Sequence, residues 1–426
     1  MAGPGRGVAA AVKADLRERL RRLGVSVGAA GVKPPLRPHA PPPPAESVAD
    51  GSDDTVVLQA EDTLFGPAWL SRTVYPIAHS HGNRPLGDAL GLSPDALAGL
   101  GVPGSPLRDA LFLDTETTGL AGGTGTLAFL VGVGYFAGET ETSERGHFIV
   151  DQYFLRDPAA ELAMMTAIDR RVCARDLLVT FNGRAFDIPL LETRFALARL
   201  AAPFAERPHL DLLLPARRLW RNAYTSCSLG SLEYHVLGVH RDQQDIAGFL
   251  IPELYRGFLV TGDMHEMSRV MYHNLLDILS MVTLAARLSE ALLRPATRGE
   301  RLAVGRQHAR SHAWGEAERV YRAGDDDAAV RLALGEALKK QGRHAEAAEV
   351  WEALADGDGA QAIEALIELA KYYEWQAVDL TRALLAARRA QRLTRVSETR
   401  AALSHRIERL QRKQTAKARQ EKNAAS

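Results

Sequence analysis

The hydrophobic pattern changes at residue 111, where short apolar runs begin to alternate with longer stretches of helical period. Short runs rich in β-branched and aromatic residues predict strands, and apolar recurrence every three to four residues predicts helices. The predicted strands are LFLDTET, TLAFLVGVGYF, HFIVDQYFL and DLLVTF, with a shorter one opening HLDLLLPARRLW before its helix. The predicted helices are DPAAELAMMTAIDRRV, IPLLETRFALARLA and RVMYHNLLDILSMVTLAARLSEALL. This succession predicts an α/β domain with a mixed sheet over residues 111–295.

Two segments precede this domain. Residues 1–53 include PPLRPHAPPPPAES, and a polyproline stretch can neither form a helix nor donate to a sheet ladder. A disordered, proline-rich leader is therefore expected there. Residues 54–110 combine a short apolar start with Gly-Pro-rich sequence, which predicts an irregular lead-in that packs on the following domain.

Helical repeats follow the α/β domain. GRQHARSHAWGEAERVYRAG resembles ALGEALKKQGRHAEAAEVWEAL, and a looser third copy begins with ALIELAKYYEW. The second copy resembles a tetratricopeptide unit through Leu334, Gly335, Leu338, Gly342, Arg343, Ala347 and Ala348. An all-α tetratricopeptide-like helical domain is predicted over 300–395, with an ordinary amphipathic bundle as the alternative. A basic tail, helical or disordered, is expected over 396–426.

Composition bears on the location and partners of the chain. Two cysteines in 426 residues cannot form a disulfide framework, and they lack the spacing of a zinc site. No signal peptide and no run of about 18 apolar residues is found, so a cytoplasmic protein that does not enter a membrane is expected. Net charge is zero, yet it sums to roughly −6 over 111–290 and roughly +9 over 379–426. An acidic middle suits divalent cations, and a basic tail suits phosphates.

The first chemical candidate is the pair Asp114 and Glu116 in LFLDTETTGL. Side chains alternate along a strand, so both carboxylates project from the same face. Adjacent buried acids repel each other and lose hydration, which is unfavourable unless a cation lies between them. Asp-x-Glu at a strand end is common by itself, so the pair alone is a weak signal. Thr117 follows where the strand ends and where a substrate could be contacted.

The second candidate is Asp187 in VTFNGRAFDIPLLETRF. It follows the turn at Asn182 and Gly183 and precedes a proline at an early helical position. A plain helix N-cap would explain Asp187, whereas its apolar neighbours would direct the carboxylate into a defined pocket. Asn182 either orients Asp187, contacts a substrate or serves the turn alone.

The third candidate is the pair His273 and Asp277 in MYHNLLDILSM. Four residues apart on a helix, they share a face. A carboxylate on an otherwise apolar helix is unfavourable unless it is paired or bound to metal. His273 is therefore either the partner of Asp277 alone or part of a larger site.

The three motifs occur in a fixed order, with helices and strands between them, and in this order they resemble the DEDD exonuclease group of the ribonuclease H-like superfamily. More narrowly, the chain resembles the YprB-type ribonuclease H-like domain, a bacterial family in which this domain is often followed by tetratricopeptide-like helices. The similar segments are DTETTGL, GTGTLAFLVGVGYF, LLVTFNGRAFDIPLLETRF, LDLLLPARRLW, CSLGSLEYHVLG and HNLLDILSM. The resemblance extends over about residues 60–300 and implies a ribonuclease H-like mixed sheet flanked by helices.

The resemblance also implies a four-carboxylate site. Its members are Asp114, Glu116, Asp187 and Asp277. Two Mg²⁺ or Mn²⁺ ions would balance their charges, because these ions prefer oxygen ligands. His273 would be the general base that deprotonates the attacking water.

The spacing of the base departs from the known subgroups. In these exonucleases a histidine lies five residues, or a tyrosine four residues, before the last aspartate. Here Tyr272 lies five before Asp277 and His273 lies four before it. Helical geometry favours His273, since an offset of four residues shares a face more closely than five, and Tyr272 is the alternative.

The implied activity is that of a metal-dependent nuclease, expected to be a 3′–5′ exonuclease that hydrolyses DNA or RNA by a two-metal mechanism. Arg217 and Arg218 lie on a predicted helix, where they either hold substrate phosphates or form an ordinary solvated face. The alternative function is a catalytically weak or inactive nucleic-acid-binding scaffold whose helical repeats bind a protein partner.

Overall fold

The structure, a computed structural model, describes residues 56–424 except 120–124, 139–145, 206, 243–244 and 325–326. The predicted proline-rich leader lies outside the described residues. The strands are β1 Gln59–Thr63, β2 Gly66–Pro76, β3 Ser80–His81, β4 Arg84–Pro85, β5 Ala110–Thr117, β6 Ala128–Gly138, β7 Gly146–Phe154, β8 Leu177–Thr180 and β9 His209–Asp211. Seven of them form one sheet in the order β1-β2-β7-β6-β5-β8-β9, and β3 pairs with β4 separately.

The large sheet is mixed. Its ladders are antiparallel from β1 through β2, β7 and β6 to β5, and parallel from β5 through β8 to β9. The helices of this part are α1 Pro94–Leu100, α2 Glu161–Cys173, α3 Asp187–Leu197, α4 Leu213–Trp220, α5 Leu229–Leu232, α6 Ile251–Thr261 and α7 His265–Leu293. A π-helical turn, Glu233–Leu237, follows α5. The mixed sheet with flanking helices confirms the predicted fold class.

Two hydrophobic cores cover the two faces of the sheet because strand side chains alternate. Phe112 and Val179 belong to one core, and Leu113 and Val131 belong to the other. Helix α7 contributes to both: Met267, Val270 and Met271 lie in the second core, and Ile278 with the apolar residues after it lies in the first. The 29-residue helix therefore joins the two halves of the domain.

The segment 54–110 was expected to be an irregular lead-in that packs on the domain; its residues 77–107 do pack in the first core, but residues 59–76 form two strands. Strands β1 and β2 extend the large sheet, and β2 pairs with β7 over seven residues from Leu70 to Pro76. The prolines of β2, Pro67 and Pro76, lie at its ends, where a missing N–H is tolerated. Their presence hides the alternation of buried and accessible side chains that marks the strand. The segment adds two strands to the sheet.

The C-terminal part is all-α, as predicted. Its helices are α8 Arg298–Arg310, α9 Trp314–Arg322, α10 Ala328–Lys340, α11 His344–Ala355, α12 Ala360–Trp375, α13 Leu380–Leu393 and α14 Ser397–Ala424. Consecutive helices pack on one another around a third core.

One packing device recurs in the first two helix pairs. A Cβ added to Gly305 would lie 2.2 Å from Tyr321, and one added to Gly335 would lie 2.2 Å from Trp351. In both cases a glycine on the first helix admits an aromatic ring sixteen positions later, which agrees with the repeat seen in the sequence. Across the described helices, no stretch combines the length and hydropathy that a membrane crossing requires.

Candidate active site

Four carboxylates converge where the end of β5 meets α7 and the start of α3. The ligand atoms of Glu116, His273 and Asp277 lie within 4.8 Å of one another. The charges of Asp187 and Asp277 act on both Asp114 and Glu116, so the four acids share one site. The structure thus brings together residues that lie as far as 163 positions apart in the chain.

The electrostatics of this site are unfavourable for ionised acids. Burial, followed by the charges of the other carboxylates, raises the pKa of Asp114 and of Glu116 well above their ordinary values. Burial also raises the pKa of Asp277 and brings that of Asp187 to about 6. The Asp277 side chain keeps 15% of its surface accessible, so the cluster is not sealed from solvent. An unbalanced negative charge of this kind is what a cation site requires.

Asp187 stands at the start of α3 and its carboxylate is directed across to β5. It accepts a hydrogen bond from the Thr115 hydroxyl at 2.5 Å. The Asn182 turn that precedes α3 is held by Asp211, which accepts from the Asn182 N–H at 2.8 Å and from the Arg184 N–H at 3.2 Å. Asn182 has a φ of 66°, a left-handed conformation that asparagine tolerates, so its turn role accounts for it.

His273 and Tyr272 differ clearly in their surroundings. The Nδ1 atom of His273 lies 2.6 Å from a carboxylate oxygen of Asp245, and its Nε2 lies 3.7 Å from Asp277. The Tyr272 hydroxyl instead donates to Asp242 at 3.3 Å. Of the two candidate bases, His273 is therefore the one that faces the carboxylates.

A buried ion pair lies beside the carboxylates and was not predicted. Glu233 has no accessible surface and binds the Arg241 guanidinium through two hydrogen bonds of 2.6 Å. Arg241 also donates to Asp277. Burial by itself would lower the pKa of Arg241, but hydrogen bonds to Glu233 and the charge of Asp277 outweigh it and raise that pKa. In the structure Arg241 is thus a fixed positive charge in contact with a proposed metal ligand.

The Glu233 carboxylate is held by further polar groups. The Ser280 hydroxyl donates to Glu233 at 2.6 Å, and the ring of His81 lies 2.7 Å from the same hydroxyl. His81 is buried, and burial lowers its pKa to about 4. A chain of buried polar contacts therefore runs from β3 through α7 to Arg241.

Asn274 positions Asp114. Its amide donates to the Asp114 carboxylate at 2.8 Å, and its carbonyl oxygen accepts from Gln152 on β7 at 2.9 Å. Strand β6 lies between β5 and β7, and Gly132 is the residue paired with both Asp114 and Gln152. A Cβ on Gly132 would lie 2.1 Å from the Asn274 side chain, so only glycine leaves room for this contact.

Gly132→Ala is expected to destabilise the protein by about 1–3 kcal/mol, because the added methyl forces Asn274 away from Asp114. The measurement is the free energy of unfolding in denaturant. Gly91→Ala is the matched control, since nothing lies within 4 Å of a Cβ there. A Gly132→Ala variant as stable as the Gly91→Ala variant would contradict this account of the glycine.

Three weaker candidates lie at different places. The Thr117 hydroxyl donates to the carbonyl oxygen of Gly119 at 2.9 Å, so it stabilises the chain just after β5. Arg217 and Arg218 are exposed on α4 and line a cavity that α8 completes. The structure gives neither arginine a hydrogen bond or ion pair with a carboxylate of the site in the described part of the chain.

Sequence reasoning missed Glu233, Arg241, Asp245 and Asn274. Glu233 follows an apolar helix, and a lone acid in that position indicates a buried partner, because an unpaired buried charge is unfavourable. Arg241 and Asp245 lie in a polar loop without periodicity, where no pattern distinguishes them from solvated residues. Asn274 stands directly after His273, and its inward direction follows only from the packing of α7 against Gly132.

Comparison with known proteins agrees with this architecture. A family model described as the RNase H superfamily matches residues 111–289, a range that contains the four carboxylates and His273. The chain is also 33% identical over 333 residues to YprB of Bacillus subtilis (strain 168), whose name describes it as uncharacterized. That match covers 74% of this chain and 78% of the relative.

Proposed function

The chain belongs to the ribonuclease H superfamily and to the YprB family within it, and on that premise we propose that it is a metal-dependent nuclease. The reaction is hydrolysis of phosphodiester bonds in DNA or RNA, with nucleotides removed from a 3′ end. The observation that supports the proposal is the convergence of four acids and a histidine at one site. A superfamily fold alone does not define an activity, so the argument depends on these residues.

The donor set fits hard divalent cations. Asp114, Glu116, Asp187 and Asp277 offer carboxylate oxygens, which Mg²⁺ and Mn²⁺ prefer, and their mutual repulsion falls when a cation is bound. We assign these four side chains as the ligands of two such ions. When bound, the ions supply an activated water near neutral pH and balance the charge that develops on the phosphate and the leaving oxygen.

His273 is suited to accept the proton of the attacking water. The Asp245 carboxylate lies 2.6 Å from Nδ1, and with the ring proton on that nitrogen the Nε2 lone pair would be directed toward Asp277 and the site. Asp245 fixes the orientation of the ring in the way that a carboxylate orients a catalytic histidine elsewhere. Arg241 Nη1 lies 3.0 Å from Nδ1 and adds a positive charge beside the ring.

A panel of end-labelled substrates tests the proposal. The substrates are DNA and RNA, single- and double-stranded, labelled at either end and incubated with Mn²⁺ or Mg²⁺. We expect metal-dependent release of mononucleotides from the 3′ end and no release in the presence of EDTA. In the same assay Asp114→Asn is compared with the control variant Asp358→Asn. Asp358 is exposed in the loop after α11, so the activity of its variant is expected to be unchanged. Absence of cleavage of every substrate with either ion would overturn the proposed function.

A further inference from the structure

A basic cavity lies between α4 and α8, apart from the carboxylate cluster. Its volume is about 650 Å³. Six arginines line it: Arg217, Arg218, Arg221, Arg298, Arg306 and Arg310. None of the described lining residues is acidic, and the others are mainly apolar. The cavity therefore concentrates positive charge around a space large enough for several atoms of a ligand.

Within the part of the chain that the structure describes, most arginines of this cavity have no acidic partner. Arg298 pairs with Asp327 at 3.1 Å, whereas the other five arginines form no ion pair with any residue that the structure describes. Arg217 lies on α4 and Arg221 directly after its end, and Arg306 and Arg310 stand four residues apart on α8. Like charges at this spacing destabilise a helix. The α8 wall thus carries an arrangement that favours an anionic ligand over the empty protein.

The two walls are held together before any ligand binds. The indole N–H of Trp220 at the end of α4 donates at 3.1 Å to Glu300 in the first turn of α8. Glu300 is fully buried, forms a capping box with Thr297 and pairs with Arg287 of α7. These buried contacts join the two helices that carry the arginines, so binding a ligand does not require the walls to be brought together.

The same wall is connected to the carboxylate site. Asp211 accepts from the N–H of Leu213, the first residue of α4, at 3.1 Å and from that of Asn182 in the loop before Asp187 at 2.8 Å. At about 1.5 Å per residue, α4 extends about 12 Å from Leu213 to its end at Trp220, and Arg221 follows directly. Helix α4 thus links the basic cavity to the loop that precedes Asp187.

We propose that this cavity binds the phosphate backbone of a nucleic acid strand at a distance from the bond that is cleaved. Guanidinium groups bind phosphates bidentately, and all six basic residues here are arginines rather than lysines. Such contacts position a strand without reading its sequence. The choice of nucleic acid among polyanions rests on the proposed nuclease function, which this inference deepens by adding a second substrate contact.

The test measures binding in a full-length chain that carries Asp114→Asn, so that no substrate is cleaved. The variant combines Arg217→Gln, Arg221→Gln, Arg306→Gln and Arg310→Gln, all at exposed positions. The probe is a fluorescein-labelled 30-nucleotide single strand, of DNA and of RNA, followed by anisotropy at several salt concentrations. We expect affinity to fall at least about tenfold and the slope of log affinity against log salt to decrease by about 3, since each phosphate contact contributes about 0.7–0.9.

The matched control removes four other arginines that are exposed, lie outside the cavity and precede the basic tail: Arg108→Gln, Arg170→Gln, Arg199→Gln and Arg319→Gln. Equal loss of affinity in this control, or unchanged affinity in the cavity variant, overturns the inference. A polyglutamate peptide of equal charge that binds as tightly as the oligonucleotide, and whose binding the cavity variant loses, assigns the site to acidic protein and also overturns it. If the wild type cleaves no substrate but the cavity variant still loses oligonucleotide affinity, the proposed activity fails and the binding site stands.

Discussion

Asp114→Asn is expected to reduce nuclease activity at least about 1000-fold while making the metal-free protein more stable. Loss of one proposed metal ligand removes several kcal/mol of transition-state stabilisation, and about 4 kcal/mol corresponds to about 1000-fold. The gain in stability follows from the raised pKa of Asp114. Burial and neighbouring charges make its ionised form less favourable in the folded chain than in the unfolded one, so ionisation destabilises the fold at neutral pH.

The asparagine retains the shape of the side chain and an oxygen that can accept from Asn274, so the packing of the site is kept. An increase of roughly 0.5–2 kcal/mol in the free energy of unfolding is expected, the usual range when an unfavourable charge is removed. Denaturant unfolding in EDTA at pH 7 measures it, and rates on the substrate cleaved by the wild type measure activity. A misfolded variant would lose both quantities. Loss of activity together with loss of stability would therefore contradict this assignment of Asp114.

Arg241→Met is expected to destabilise the metal-free protein by about 3–5 kcal/mol, the second large effect. The substitution leaves Glu233 fully buried and without its charged partner. An uncompensated buried charge strongly destabilises the folded state. It also removes the cation that contacts Asp277, so Mn²⁺ is expected to stabilise the variant more than the wild type. Thermal unfolding with EDTA and with Mn²⁺ measures both changes.

Two further variants make this prediction specific. Arg256→Met removes an exposed arginine that pairs with Glu253, and it is expected to cost no more than about 1 kcal/mol. Adding Glu233→Gln to Arg241→Met is expected to recover at least about 1 kcal/mol, because the neutral amide can still accept from Ser280. If Arg241→Met costs no more than Arg256→Met, the buried pair does not hold this part of the site together.

The sequence predicted the strands and the catalytic candidates because local rules determine them. Alternation along β5 directs Asp114 and Glu116 to one side, and a four-residue offset directs His273 and Asp277 to one side of α7. The Asn-Gly turn before Asp187 is an equally local signal. These features require no knowledge of the tertiary fold. The family resemblance indicated that they belong to one metal-binding site.

Other features depend on which elements meet in space, and for that reason no pattern in the sequence predicted them. Arg241 follows a π-helical turn in a polar loop, and its partner Glu233 is buried only because α7 packs over it. Strand β2 was hidden by prolines that its ends tolerate. Arg217 looked like one arginine of a solvated helix, and the opposing arginines of α8 come from a repeat that begins more than seventy residues later.

Helix α7 also has a consequence for the energy landscape of the protein. Its first turns are buried in one hydrophobic core and its later turns in the other, and Asp277 stands between them. Local opening at Asp277 would therefore expose apolar surface on both sides of the sheet at once, which places this segment in the most protected cooperative unit. The helix therefore keeps Asp277 in a fixed position within the site.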